Sequence, residues 1–384
     1  MRILLVRPAP PSETIGLQHV MVVEPLELEV LAAALPARHE VRIVDMILET
    51  APLESFVRDF DADLMGVTGY ITHMDVIKDY CRRAKEVKPG LVTVAGGVHI
   101  EKNAADADAP AVDYRVIRNA VTAFPALVDS LEGLADERPG GVLASGEEPG
   151  DLPPLDFSFP HPRRDLTRRY RDRYFYVFHN RVAALKTSFG CPAQCSFCYC
   201  REITDGKYRE RPMTDVLDEL AGIEQEEIFI IDDNFLASRG RLTDFLNGLE
   251  ARNIDKHYLV FGRADFIIRH PELMERFHAR GLRTVIVGLE SFDDAELADM
   301  NKKVRAADNE KALGILRDLG IGCYASIILN PDWDRDDFAR LRRKVRELGI
   351  LFANYQPLTP LPGTALSTPK EDLVVDRRKY SHWD

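Results

Sequence analysis

Four of the six cysteines fall within ten residues, at Cys191, Cys195, Cys198 and Cys200, while Cys81 and Cys323 stand alone. In a reducing compartment such a group reads as metal binding or redox chemistry before disulfides. The segment runs Thr187-Ser188-Phe189-Gly190-Cys191-Pro192-Ala193-Gln194-Cys195-Ser196-Phe197-Cys198-Tyr199-Cys200. Thiolates spaced Cys-x3-Cys-x2-Cys can wrap one face of an iron–sulfur cube, whose irons ordinarily take a protein ligand each. A compact set of three leaves one iron open for a substrate or cofactor. Cys200 would have to turn sharply to reach the same cube, and reads as a neighbour. A zinc knuckle or a ferredoxin module is the alternative. Zinc sites usually show two separated pairs, and bacterial ferredoxin runs space their cysteines more closely and often end in Cys-Pro. This chain does neither.

The elements that must position this loop alternate strand with helix. Strands are expected at Val182–Thr187, Glu227–Ile231, Tyr258–Phe261, Thr284–Val287, Tyr324–Leu329 and Asn354–Leu358. Helical periodicity falls between them. Such a run needs a curved parallel sheet, open or a partial barrel, with functional residues on the loops after the strands. Ahead of it, Ile3–Val6, Val41–Val44, Leu64–Val67 and Leu91–Ala95 alternate with helical stretches. That predicts a doubly wound, Rossmann-like parallel sheet with ligands at the strands' carboxyl ends. Thr68-Gly69-Tyr70 and Gly96-Gly97-Val98-His99 would lie there. The α/β chain thus divides into a first domain over 1–130, a Pro- and Gly-punctuated linker over 131–180, a barrel over 181–363 and a tail over 364–384. The basic run Arg163, Arg164, Arg168, Arg169, Arg171, Arg173 reads as a solvated or interdomain surface.

Composition sets the bounds. The 384 residues are 45% apolar and 29% charged, ordinary for globular domains, and the net charge of −12 does not favour nucleic acid or an anionic membrane surface. No apolar run approaches the ~20 residues of a membrane span. The N-terminus stops too soon for a signal-peptide core. A cytoplasmic protein is expected.

The cysteine motif on the loop after the first barrel strand, with aromatic Phe197 just before the third cysteine, resembles the radical S-adenosylmethionine (SAM) superfamily. The resemblance implies a partial (β/α)6 barrel and a [4Fe-4S] cluster held by Cys191, Cys195 and Cys198, whose open iron chelates SAM. Reductive cleavage of SAM then gives a 5′-deoxyadenosyl radical that abstracts a substrate hydrogen. It further implies that Phe197, Asp232, Asp233, Arg263 and Glu290 contact SAM: the acids of Asp232-Asp233-Asn234 at the methionine ammonium, Arg263 at the carboxylate, Glu290 at a ribose hydroxyl. The alternatives are a helix N-cap for the acids and an Arg263–Glu290 ion pair. Tyr199, Cys200 and Tyr208 line or pack the site, and no general acid or base is demanded.

The preceding doubly wound domain resembles the cobalamin-dependent group of that superfamily. This implies cobalamin at Thr68, Gly96, Gly97 and Val98, an ordinary tight turn being the alternative. The Asp-x-His-x-x-Gly motif that supplies a cobalt ligand in many cobalamin proteins is absent, and His99 reads as a loop residue. Ile327-Ile328-Leu329-Asn330-Pro331-Asp332-Trp333-Asp334 and Thr359-Pro360-Leu361-Pro362-Gly363-Thr364 resemble a lipid branch that includes hopanoid C-3 methylases. The implied function is methyl transfer to an unactivated carbon of a lipid or secondary metabolite. The alternative is an oxidative cyclase or rearrangement enzyme without methyl transfer. Implied partners are a small-molecule or lipid substrate and a reducing protein such as flavodoxin or ferredoxin. Relatives continue past the barrel, whereas this chain stops at Tyr380-Ser381-His382-Trp383-Asp384.

Overall fold

Ile3, Leu4, Leu5 and Val6 are all fully buried, a pattern that only a strand covered on both faces needs. The computed structural model describes residues 1–12, 14 and 18–366. The chain divides into two compact units, one reaching Asn180 and the other beginning at Arg181.

In the first unit β1 (Arg2–Arg7), β2 (Glu40–Asp45), β3 (Leu64–Thr68), β4 (Val92–Gly96) and β5 (Tyr114–Val116) are parallel, in the order β2-β1-β3-β4-β5. Leu4 and Val6 join one apolar layer with Met65 and Val67. Ile3 and Leu5 join the other with Leu64 and Val94. This is the alternation a two-sided sheet requires. The order reverses between β1 and β3, the switch point beside which such sheets bind ligands at their carboxyl ends.

The stretch 131–180 is not a bare linker. Val142–Ala144 forms β6, antiparallel to β5. Arg164–Arg173 forms a 3-10 helix with Thr167 and Tyr170 buried. The basic run is mostly at the surface, with Arg163, Arg168, Arg169 and Arg173 exposed, but several of its members are tied into the unit. Arg164 pairs with buried Glu24, Arg173 Nη1 donates to the Leu48 carbonyl at 2.6 Å, and Tyr170 Oη donates to Glu49 at 2.5 Å. The prolines and glycines mark turns between these short elements.

In the second unit β7 (Ala183–Leu185), β8 (Glu227–Ile230), β9 (His257–Gly262), β10 (Leu282–Glu290), β11 (Gly322–Leu329) and β12 (Phe352–Pro357) are parallel and paired in chain order. Among the described residues β7 and β12 are not paired with each other, so the (β/α)6 arrangement stays open. Leu185, Ile230, Val260 and Val285 bury one face against Phe245 and Phe277 of the helices Arg239–Ala251 and Pro271–Ala279. Parallel strands in chain order place every strand-to-helix loop at one edge. Of the expected tail, residues 367–384 lie outside the described residues. No helix among those described is long and apolar enough to cross a membrane.

Candidate functional site

The cysteine loop leaves β7 through Ser188–Phe189, which pairs antiparallel with Arg209–Glu210 and so closes the loop at its base. Gly190 turns it at φ +75°, where an added Cβ would run into the Lys207 carbonyl. Asp232, expected at SAM, is instead committed to this turn. Its fully buried carboxylate accepts from Thr187 N (2.6 Å), Thr187 Oγ1 (2.5 Å), Ser188 N (3.0 Å) and Ser188 Oγ (2.7 Å). Four donors fill the acceptor positions of a carboxylate, leaving none for an ammonium. Asp233 accepts from Gly190 N at 2.8 Å and lies 3.6 Å from Lys186 Nζ.

All four loop thiols are free and partly exposed. Burial pushes the Cys191 and Cys195 thiols up. A hydrogen bond from Cys200 lowers Cys198 to about 7, and that bond pushes Cys200 well up. Arg263, at the end of β9, turns Nη1 to Cys195 Sγ at 3.8 Å. Its Nε donates to Asp265 at 2.9 Å and its Nη2 to the Lys302 carbonyl at 2.8 Å.

Glu290, the last residue of β10, has φ +63° and is buried. It does not pair with Arg263: its Oε1 meets Lys302 Nζ at 2.6 Å. Gly288 lies below this pair, since a Cβ there would come within 2.8 Å of Lys302 Nζ. Lys302 Nζ also stands 5.9 Å from the Phe197 ring centroid. The segment around it braces the cysteine loop. Ser196 N donates to the Met300 carbonyl at 3.0 Å, and Asn301 Nδ2 donates to the Gln194 carbonyl at 2.5 Å.

A cavity of about 350 Å³ opens beside the loop, lined among others by Gln194, Asn234, Arg263, Asp265 and Lys303. Asn234, 4% exposed, presents a buried Oδ1 with no hydrogen-bond partner. The sequence marks neither Asn234 nor Lys302 as a site residue by itself. Asn234 stood within the singled-out triplet, and Lys302 carried no signal because it follows a short helix rather than a strand.

These residues fit an iron–sulfur cluster better than a single ion. Among the described residues one group of potential ligands lies within 4.8 Å, His39, Asp129 and Glu132 of the other unit, and it includes no cysteine. Thiolates on one tetrahedral zinc at about 2.3 Å would sit closer together than that. A cluster instead gives each thiolate its own iron.

In the first unit the loops after β3 and β4 meet. Gly97 has φ +115°, and a Cβ there would come 2.9 Å from Gly69 N and 3.0 Å from Thr68 Oγ1. The tight turn is therefore real. It leaves Thr68, Gly96, Gly97 and Val98 partly exposed at the carboxyl edge, and a Cβ at Gly96 would meet nothing nearer than 3.9 Å. Gly96 thus leaves backbone at this edge uncovered by a side chain, the condition for close approach of a ligand. His99 is not in a loop: it lies in the helix Val98–Lys102, buried, with Nε2 2.8 Å from Asp106.

Comparisons with known proteins agree with both halves. The B12 binding domain family matches residues 14–128 and the radical SAM superfamily matches residues 185–345. Hopanoid C-3 methylase of Methylococcus capsulatus is 29% identical over 396 residues, covering 100% of this chain and 75% of its own length. Anaerobic magnesium-protoporphyrin IX monomethyl ester cyclase of Rubrivivax gelatinosus is 28% identical, over 83% of this chain and 60% of its own length. The structure of the cobalamin-dependent SAM radical enzyme OxsB, with aqua-cobalamin and SAM bound, superposes with a TM-score of 0.73 at 16% identity. It covers 95% of this chain and 54% of that one, so this chain spans about half the length of OxsB.

Proposed function

Since the chain belongs to the radical SAM superfamily, in the group that carries a B12-binding domain, we propose that it is a methyltransferase that uses SAM, a [4Fe-4S] cluster and cobalamin to methylate an unactivated carbon. The pairing of the two domains with an open three-cysteine loop carries this reading. An unactivated carbon offers no nucleophile to a methyl cation, so the cofactors supply the one-electron and methyl-transfer chemistry while the protein supplies position and exclusion of water.

In this reading Cys191, Cys195 and Cys198 hold the cluster, with Phe197 beside it. Asp233 and the open Oδ1 of Asn234 receive the methionine ammonium, Arg263 faces the carboxylate and Glu290 a ribose hydroxyl. Asp232 holds the loop. Thr68, Gly96, Gly97 and Val98 take cobalamin. Two groups support these roles: Asn234 through its unpartnered acceptor, and Arg263 because it turns one amine toward Cys195. A polycyclic lipid or secondary metabolite is the proposed acceptor, supported by the match along the whole chain to a hopanoid methylase. The proposed reductant is a flavodoxin or ferredoxin, and the cytoplasm the proposed compartment.

The reconstituted protein, incubated anaerobically with reductant, hopanoid lipids and SAM carrying a trideuterated methyl group, should give 5′-deoxyadenosine and S-adenosylhomocysteine together, with deuterium in the lipid. 5′-Deoxyadenosine without S-adenosylhomocysteine would favour the cyclase or rearrangement reading, to which the Rubrivivax relative points.

A further inference from the structure

Lys302 is the buried cation of the site. It is 5% exposed and paired at 2.6 Å with Glu290, itself 6% exposed. Breaking a buried ion pair by removing one partner leaves an uncompensated charge in a poorly screened place. The pair is also geometrically forced. Glu290 reaches it through a left-handed backbone that non-glycine residues rarely adopt, and Gly288 supplies the space. Strain of this kind persists where the surroundings over-determine it, and such places are enriched in functional sites.

Lys302 and its neighbours are linked to the cysteine loop by three routes. Its ammonium stands 5.9 Å from the ring of Phe197, between Cys195 and Cys198. Its carbonyl fixes Arg263, whose Nη1 lies against Cys195. Its neighbours Met300 and Asn301 hold the backbone at Ser196 and Gln194. Its ammonium thus lies beside the loop that carries the thiolate ligands Cys195 and Cys198. A cation held here favours the more negative, reduced state of whatever those thiolates ligate.

We propose that Lys302 is a positioning residue that holds Glu290 over Gly288 and, through its fixed charge, raises the reduction potential of the cluster on Cys191, Cys195 and Cys198. The inference rests on the cluster assignment above, and the experiment separates the two. Wild type, Lys302→Met, Glu290→Gln and the double variant are reconstituted anaerobically, their iron is counted, and the reduced fraction is followed by electron paramagnetic resonance against a poised dye. Lys302→Met should keep its iron and show about a tenfold lower ratio of reduced to oxidised cluster at fixed ambient potential, equal to about 59 mV for a one-electron couple. Glu290→Gln, which leaves the cation uncompensated, should move the ratio the other way, and the double variant should return toward wild type. Lys302→Arg should restore it.

A purely structural role would not give shifts of opposite sign that cancel. Unchanged potentials in iron-loaded Lys302→Met would overturn the proposal. If that variant cannot hold iron, the Glu290→Gln potential decides, and no upward shift there overturns it equally. Failure of the wild type to assemble a cluster would instead overturn the cysteine assignment.

Discussion

Replacing Asp232 separates a carboxylate that binds SAM from one that builds the loop. In Asp232→Ala the backbone N–H groups of Thr187 and Ser188, bonded at 2.6 and 3.0 Å, lose their acceptor in a place water does not reach. Each buried unsatisfied donor costs about 1–3 kcal/mol, so the two together cost about 2–6 kcal/mol. The two hydroxyls can rotate and add little. In Asp232→Asn one oxygen still accepts from both N–H groups, but charge-assisted bonds become neutral ones. A loss of about 1 kcal/mol at each bond gives about 2 kcal/mol. The assay is urea unfolding of the cluster-free protein followed by circular dichroism, with SAM affinity of the reconstituted Asn variant measured alongside. Asp232→Ala should unfold at clearly lower urea than Asp232→Asn, and Asn should bind SAM within a few-fold of wild type. Equal midpoints for all three proteins, with SAM binding lost in Asp232→Asn, would return Asp232 to the ligand.

Four further outcomes follow. Alanine at Cys191, Cys195 or Cys198 should each abolish iron retention and SAM cleavage, whereas Cys200→Ala should keep its iron; loss of iron in Cys200→Ala would overturn the three-ligand assignment. Gly97→Ala should abolish cobalamin uptake, read from visible absorption, because a Cβ would come 2.9 Å from Gly69 N at a φ of +115°. Asn234→Leu removes the open acceptor and should weaken SAM binding about tenfold, the effect of leaving a charged partner without its hydrogen bond; unchanged binding by calorimetry would exclude Asn234 from the site. Burial pushes Cys81 and Cys323 up to about 12. Since burial disfavours the thiolate, both should resist iodoacetamide at any pH below about 11 while the protein is folded and gain reactivity only on unfolding; mass spectrometry at pH 8 checks this.

The repeating strands were legible because buried parallel strands read as short apolar runs between turn residues. Leu64–Val67 and Tyr324–Leu329 are such runs, and both fall inside observed strands. The helix Ala120–Leu131 was not legible, because Pro125 sits inside it and proline ordinarily ends a helix. Its buried face of Ala123, Phe124, Leu127 and Val128 outweighs the lost hydrogen bond. Strand β6 was lost among glycines and prolines, since three residues carry no period.

In the site the cysteine spacing was local and therefore readable. Which of Asp232, Asp233 and Asn234 faces a ligand was not. The side chains point differently along one turn, and only the Thr187 and Ser188 donors, about 45 residues upstream, decide that Asp232 turns inward. The Glu290–Lys302 pair joins a strand end to a segment beyond a short helix. No spacing rule announces such a contact.

Metal counting after anaerobic reconstitution with iron, sulfide and hydroxocobalamin, followed by desalting, decides whether one chain carries both a cluster and cobalamin. About four irons together with about one cobalt per chain are expected. About four irons with no cobalt would contradict this, leaving the first unit a scaffold and methyl transfer through cobalamin without its cofactor.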